Sequence, residues 1–179
     1  MDDVNAARPA CDCGSQKYRT YVNCEFRAKG DTSNKDDYAI EVTQSGVSFH
    51  YCLFNANGVS STNTNSLVYA GAADITFNKC VFDGGSFQIY SNLNSFTAID
   101  CVFHNAGDDA IHLIPTTTVA NSAINGANIV NCYFSEVANY AIGNPSAGSL
   151  GLANAGVGVF NNAYYSVTNK FEHMPDTQE

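Results

Sequence analysis

Two adjacent carboxylates, Asp108 and Asp109, stand in the stretch Gly107-Asp108-Asp109-Ala110-Ile111, with His104 and His112 close on either side. These are the residue types that take and give protons in general acid–base catalysis. A second acidic pair, Asp36-Asp37, precedes Tyr38-Ala39-Ile40. An acidic pair ahead of an apolar strand therefore occurs twice, which reads as a turn preference more than as unique chemistry. Between Lys79 and Lys170 there is no Lys or Arg, so this stretch has nothing to offset the charge of an anionic substrate. The four histidines, His50, His104, His112 and His173, show no metal-ligand spacing. No Ser/His/Asp placement is recognisable. The expectation is a chain without a catalytic set, without a metal and without a cofactor, with Asp108, Asp109, His104 and His112 as the alternative site.

What positions these residues is a repeat. Cysteine, any residue, phenylalanine recurs at Cys24-Glu25-Phe26, Cys52-Leu53-Phe54, Cys80-Val81-Phe82, Cys101-Val102-Phe103 and Cys132-Tyr133-Phe134. Ala163-Tyr164-Tyr165 reads as a degenerate sixth copy, and the steps between first positions are 28, 28, 21, 31 and 31 residues. Recurrence at that period marks a solenoid, in which each unit buries its apolar side only against its neighbours. Before each cysteine stands an apolar alternation, such as Ile75-Thr76-Phe77, and then two residues, often polar, such as Asn78-Lys79 or Val130-Asn131. The inward parity shifts across that joint, so the strand must bend there. Asn suits the bend because it tolerates a left-handed backbone. A third short strand follows each cysteine, for example Leu67-Val68-Tyr69-Ala70 and Ala110-Ile111-His112-Leu113. Stacking places Cys24, Cys52, Cys80, Cys101 and Cys132 in one structural ladder and the phenylalanines in another.

Units of this length, with an Asn corner and stacked Cys and Phe columns, resemble the right-handed parallel β-helix superfamily, which includes pectate lyases, polygalacturonases and phage tailspike bodies. The resemblance covers Lys17 to Asn169. It implies an all-β, right-handed parallel β-helix of about six short coils over 17–169, with an irregular N-terminal arm over 1–16 and a C-terminal tail over 170–179. The Gly107-Asp108-Asp109 stretch is similar to one in the polygalacturonase-type members, where paired carboxylates work on a glycosidic bond. The accompanying Asn-Thr-Asp, Gly-His-Gly and Arg-x-Lys elements of that group are absent. The lyase members need a cationic base that this stretch lacks.

Composition narrows the partners. Net charge is −9 with only 14% charged residues, which disfavours nucleic acid, since a phosphate-binding face needs clustered Lys and Arg. No apolar run is long enough to span a membrane as a helix. The opening Met1-Asp2-Asp3 has neither the basic nor the apolar segment of an export signal. Cys11 and Cys13 fall in the arm, outside the repeat, with no further ligands at a metal spacing. The long insertions Pro115 to Gly126 and Pro145 to Gly156 occupy equivalent places and are expected to protrude side by side as a contact surface. Neither end carries an evident cap, so either a partner covers the open ends or the chain belongs to a longer solenoid.

Alternation predicts which residues face outward. The middle of each Cys-x-Phe gives Leu53, Val81, Val102, Tyr133 and Tyr164, an apolar column expected to meet another subunit or partner, or else to lie under the N-terminal arm or a loop. The neighbouring strand gives Tyr69 and Tyr90, aromatic residues that suit a sugar ring or another chain. The sequence-based expectation is a non-enzymatic virion structural or attachment protein, a phage capsid decoration (cement) protein or short spike. It would be a homotrimer on the virion surface, in contact with other virion proteins of the capsid shell. The alternatives are a carbohydrate-active β-helix, either polysaccharide hydrolase or glycan-binding module, and an extracellular adhesin fragment.

Overall fold

The computed structural model describes residues 11–12, 17–28, 38–56, 66–91, 96–113, 127–143 and 158–171. The two insertions, most of the arm, the tail beyond Phe171, Cys13 and the Asp36-Asp37 pair lie outside these residues. The described residues form strands and irregular connections, with no helix among them. In chain order the strands are β1 (Cys11–Asp12), β2 (Thr20–Val22), β3 (Glu25–Arg27), β4 (Ile40–Val42), β5 (Ser48–His50) and β6 (Leu53–Asn55). They continue as β7 (Ser66–Ala70), β8 (Ile75–Asn78), β9 (Val81–Asp83), β10 (Phe87–Ser91), β11 (Phe96–Ile99) and β12 (Val102–His104). The last are β13 (Ile111–Leu113), β14 (Asn128–Val130), β15 (Tyr133–Gly143), β16 (Gly158–Phe160) and β17 (Ala163–Phe171).

Every pairing among the described residues is parallel. One sheet of six strands runs β16-β14-β11-β8-β5-β2, so each strand lies on its counterpart from the preceding repeat. The other sheet has eleven strands. It climbs from β1 through β4, β7, β10 and β13 to β15, then descends through β12, β9 and β6 to β3, nearly closing on itself, and β17 pairs with β15 off this path. The long strand β15 joins the two halves because it carries both the Cys-x-Phe segment and the following strand of its repeat. The arrangement is compatible with a parallel β-solenoid. Register is kept from repeat to repeat: Phe26 pairs with Phe54, Phe54 with Phe82, Phe82 with Phe103 and Phe103 with Phe134.

The phenylalanine column stacks face to face, with centroids 4.7 Å apart for Phe54–Phe82 and for Phe82–Phe103 and 4.8 Å for Phe103–Phe134. That separation is the hydrogen-bonding distance between strands, so backbone pairing and ring stacking are satisfied together. A second column, Tyr21, Phe49 and Phe77, meets the first edge-on, for example Phe77 on Phe82 at 74°.

The cysteines form the expected ladder, and it has a chemistry of its own. Four of the five thiols donate to a carbonyl of the repeat below: Cys52 to Tyr21, Cys80 to Phe49, Cys101 to Phe77 and Cys132 to Ala98, at 3.4–3.6 Å. Burial pushes the Cys52 thiol up from its ordinary value. Cys101 stands between Cys80 and Cys132. Sharing its proton with these neighbours pushes Cys101 up and lowers both of them.

The bend before each cysteine is a single left-handed residue. Asn23, Tyr51, Lys79, Asp100, Asn131 and Asn161 have φ between 53° and 55°. The strain of holding Tyr and Lys there is met by the ladder: the Tyr51 and Lys79 amides donate to Asn78 and Ile99 of the next repeat at 3.0 and 2.9 Å.

Three sequence-based expectations need correction. The sixth repeat is shifted by one residue: Tyr133 pairs with Ala163 and Phe134 with Tyr164. The cysteine equivalent is therefore Asn162, not Ala163. Its Nδ2 donates to Ile129 O at 3.0 Å, the carbonyl a thiol would have met, and its Oδ1 accepts from Cys132 N at 2.7 Å. The one-residue shift turns Tyr164 inward, stacked on Phe134 at 5.4 Å, and turns Phe160 outward. Second, Cys11–Asp12 is not outside the repeat: it pairs in register with Ile40–Glu41 as the first rung of its stack. Third, alternation also points His112 outward, in the column of Tyr69 and Tyr90, but it is buried, for the reasons given next.

Candidate functional site

The paired carboxylates lie where β12 leads into β13. His112 sits on β13 in the column Glu41, Tyr69, Tyr90, His112, Gly143, whose members pair in register. Asp109 reaches the same column from the turn before β13. Asp109 Oδ2 lies 2.7 Å from His112 Nδ1, and the two side chains are 3% and 10% exposed. Asp109 Oδ1 accepts the Tyr140 amide of the next repeat at 3.1 Å. Both carboxylate oxygens therefore have partners within the protein. The His112 ring lies against Tyr90 at 5.3 Å and Phe87 at 4.2 Å.

Gly143 explains how the pair fits. A Cβ at this position would stand 2.0 Å from Asp109 Oδ2. In the repeat above, the column therefore loses its side chain where Asp109 needs the room. Asp108 turns elsewhere: its Oδ1 accepts from Asn139 Nδ2 at 2.9 Å, and its carbonyl accepts the Asn139 amide at 3.2 Å. The two aspartates thus tether one repeat to the next at Tyr140 and Asn139. A general acid acting on a glycosidic oxygen must reach that oxygen directly. Asp109 at 2% exposure faces His112 and a backbone amide instead.

His104 does not join this group. On β12 its Nδ1 lies 3.0 Å from Ser135 Oγ and its Nε2 3.9 Å from Glu136 Oε2. A Ser, a His and a carboxylate thus meet where sequence reading saw none. The signal was present: Ser135 lies one repeat after His104, 31 residues on, and pairs with it directly. The serine is nearly buried, while His104 and Glu136 side chains are 42% and 56% exposed. The Glu136 contact is long and solvent-screened, so it holds the imidazole weakly.

The aromatic flank forms a ladder. Tyr38 stacks on Tyr69 at 5.1 Å and Tyr69 on Tyr90 at 6.0 Å. The ring faces within the ladder are taken up by one another, leaving edges for an approaching ligand.

The outward column of the Cys-x-Phe strands is Glu25, Leu53, Val81, Val102, Tyr133 and Ala163, paired in register throughout. Val81 is 38% and Tyr133 41% exposed, with Leu53 and Val102 half-buried between their neighbours. Sequence reading missed a second apolar column across the corner, Ile99, Val130 and Phe160, with Phe160 55% exposed. Among the described residues no group of three or more His, Cys, Asp or Glu is arranged to hold a metal. No protein-family model, curated protein or solved structure matches the chain.

Proposed function

We propose that successive repeats are coils of one right-handed parallel β-helix, and that the protein is a non-enzymatic structural and attachment component of a virion. The right-handed sense follows the general rule for parallel strand crossovers. In this reading the protein is a capsid decoration (cement) protein or a short spike at the virion surface. The observation that carries it is the in-register apolar column Leu53, Val81, Val102 and Tyr133, in which Val81 and Tyr133 are exposed and Leu53 and Val102 half-buried. In this reading the column is a contact surface, covered by further copies of the chain or by the capsid shell. The binding of Asp109 and Asp108 to partners inside the protein supports the absence of catalysis.

The test has two arms. Val81→Asp with Val102→Asp should reduce the mass of the assembled protein in solution while the β-sheet circular dichroism signal at 25 °C is kept. A reducing-end assay over a panel of polysaccharides should show no turnover. Turnover abolished by Asp109→Asn would replace this reading with a glycoside hydrolase.

A glycan-binding module is the second reading, favoured by the Tyr38, Tyr69 and Tyr90 ladder. Because ring faces are paired within the ladder, a sugar would have to bind along edges, where stacking contributes least. Binding on a glycan array that Tyr69→Ala and Tyr90→Ala remove would establish it.

A further inference from the structure

We propose that the cysteine column is a binding site for a soft monovalent cation, copper(I), held in line between two neighbouring sulfurs, with Cys24 and Cys52 as its point of entry. This goes beyond the assembly reading and does not depend on it. The metal-free expectation weighed the histidines and the pair Cys11 and Cys13, and gave the ladder a structural part only. A two-ligand site is also smaller than the groups of three or more ligands that the described residues lack.

The geometry of the column carries it. Each sulfur lies against the carbonyl two residues before it: Cys24 on Val22 at 3.4 Å, Cys52 on His50 at 3.4 Å, Cys80 on Asn78 at 3.5 Å, Cys101 on Ile99 at 3.3 Å and Cys132 on Val130 at 3.4 Å. One contact repeated in every member fixes one side-chain rotamer throughout. The backbone beneath stays in register, since Leu53, Val81, Val102 and Tyr133 each donate at 2.9 Å to the cysteine carbonyl one repeat back. Equal rotamers on paired strands put successive sulfurs about 4.8 Å apart in a line.

A cation midway between two of them stands about 2.4 Å from each, half that spacing. Thiolate sulfur bonds zinc at about 2.3 Å, so a thiolate-bound cation fits the gap as built. A disulfide does not: its sulfurs must close to about 2.0 Å, which takes them out of the shared rotamer. Zinc itself asks for a tetrahedron of ligands that the line does not offer. Copper(I) is a soft cation that thiolates select, and it accepts two ligands in line. Binding breaks two S–H bonds, forms two S–Cu bonds and releases two protons to solvent, with no change of oxidation state. Cys24 is the half-buried member of the column, while Cys52, Cys80, Cys101 and Cys132 are buried. Entry at Cys24 keeps the excess thiolate charge near water.

Copper(I) is titrated anaerobically, against a chromophoric copper(I) chelator, into the full chain carrying Cys11→Ser and Cys13→Ser, which leaves the column as its only thiols. The column should take copper(I) from the chelator, and X-ray absorption at the copper edge should show two sulfur neighbours. Two matched variants test adjacency. Cys52→Ala/Cys101→Ala leaves Cys24, Cys80 and Cys132, none of them adjacent, and should abolish binding. Cys24→Ala/Cys132→Ala removes as many thiols but keeps Cys52, Cys80 and Cys101 adjacent, and should retain it. Circular dichroism checks the fold of both. Equal behaviour of the two folded variants, three or more sulfur neighbours, or binding by the wild-type chain that Cys11→Ser/Cys13→Ser removes, overturns the in-line site. If Cys52→Ala/Cys101→Ala does not fold, the count of sulfur neighbours decides alone.

Discussion

The cysteine–phenylalanine ladder and the Asp109–His112 pair are both buried, and both bind one repeat to the next, yet they are built in opposite ways. The ladder repeats one solution. A thiol meets the carbonyl below it and a ring meets the ring below it, from Cys52 to Cys132 and from Phe26 to Phe134. Among the described residues the Asp109 arrangement occurs once, and it depends on residues without counterparts in the ladder: Gly143 leaves the space, Tyr140 supplies an amide, and Phe87 and Tyr90 enclose His112. A pair of side chains that suggests catalysis in a sequence also joins one repeat to the next here. In a stacked chain a chemically suggestive residue has to be read against the residue one period away before it is given a role.

The largest effect should come from the ladder. Phe82→Ala or Phe103→Ala opens a cavity between rings stacked on both sides and should cost about 3–5 kcal/mol in urea denaturation. A loss well under this would mean the column relaxes and is not the main support. Next is Gly143→Ala, which drives a methyl into Asp109 Oδ2 and should cost about 1–3 kcal/mol. Asp109→Ala alone leaves the Tyr140 amide and His112 without their acceptor and should cost about 1–3 kcal/mol. The two changes should be strongly non-additive, since Asp109→Ala removes the obstacle that Gly143→Ala meets. Simple additivity would separate the glycine from the pair. The smallest effect is alkaline. Because burial raises Cys52 above the ordinary thiol value of 9.0, its contribution is complete below pH 9.0 and is lost as pH rises through the folded value. Stability measured from pH 8 upward should therefore fall less steeply in Cys52→Ala than in wild type.

The architecture was legible because periodicity and packing are the same fact in this chain. Cys-x-Phe at a near-constant spacing places sulfur on sulfur and ring on ring, and the left-handed corner follows from the parity change at residues such as Asn131. Legibility failed where the repeat changes its chemistry. Asn162 replaces a thiol with an amide that reaches the same carbonyl, so the sixth repeat was aligned one residue late and Tyr164 was placed outside. Cys11–Asp12 is too short for alternation to show, and its place is set by pairing with β4. At the candidate site the sequence pointed to Asp108, Asp109 and His112 but not to what occupies them. Asn139, Tyr140 and Gly143 lie a full repeat away, and only stacking brings them within reach.

The most direct test of the account is a crystal structure phased on the sulfur anomalous signal. The stacked arrangement predicts five peaks, for Cys24, Cys52, Cys80, Cys101 and Cys132, in one line about 4.8 Å apart, with Asn162 at the sixth place. Sulfurs scattered through the molecule, or Ala163 in line with the five, would contradict it.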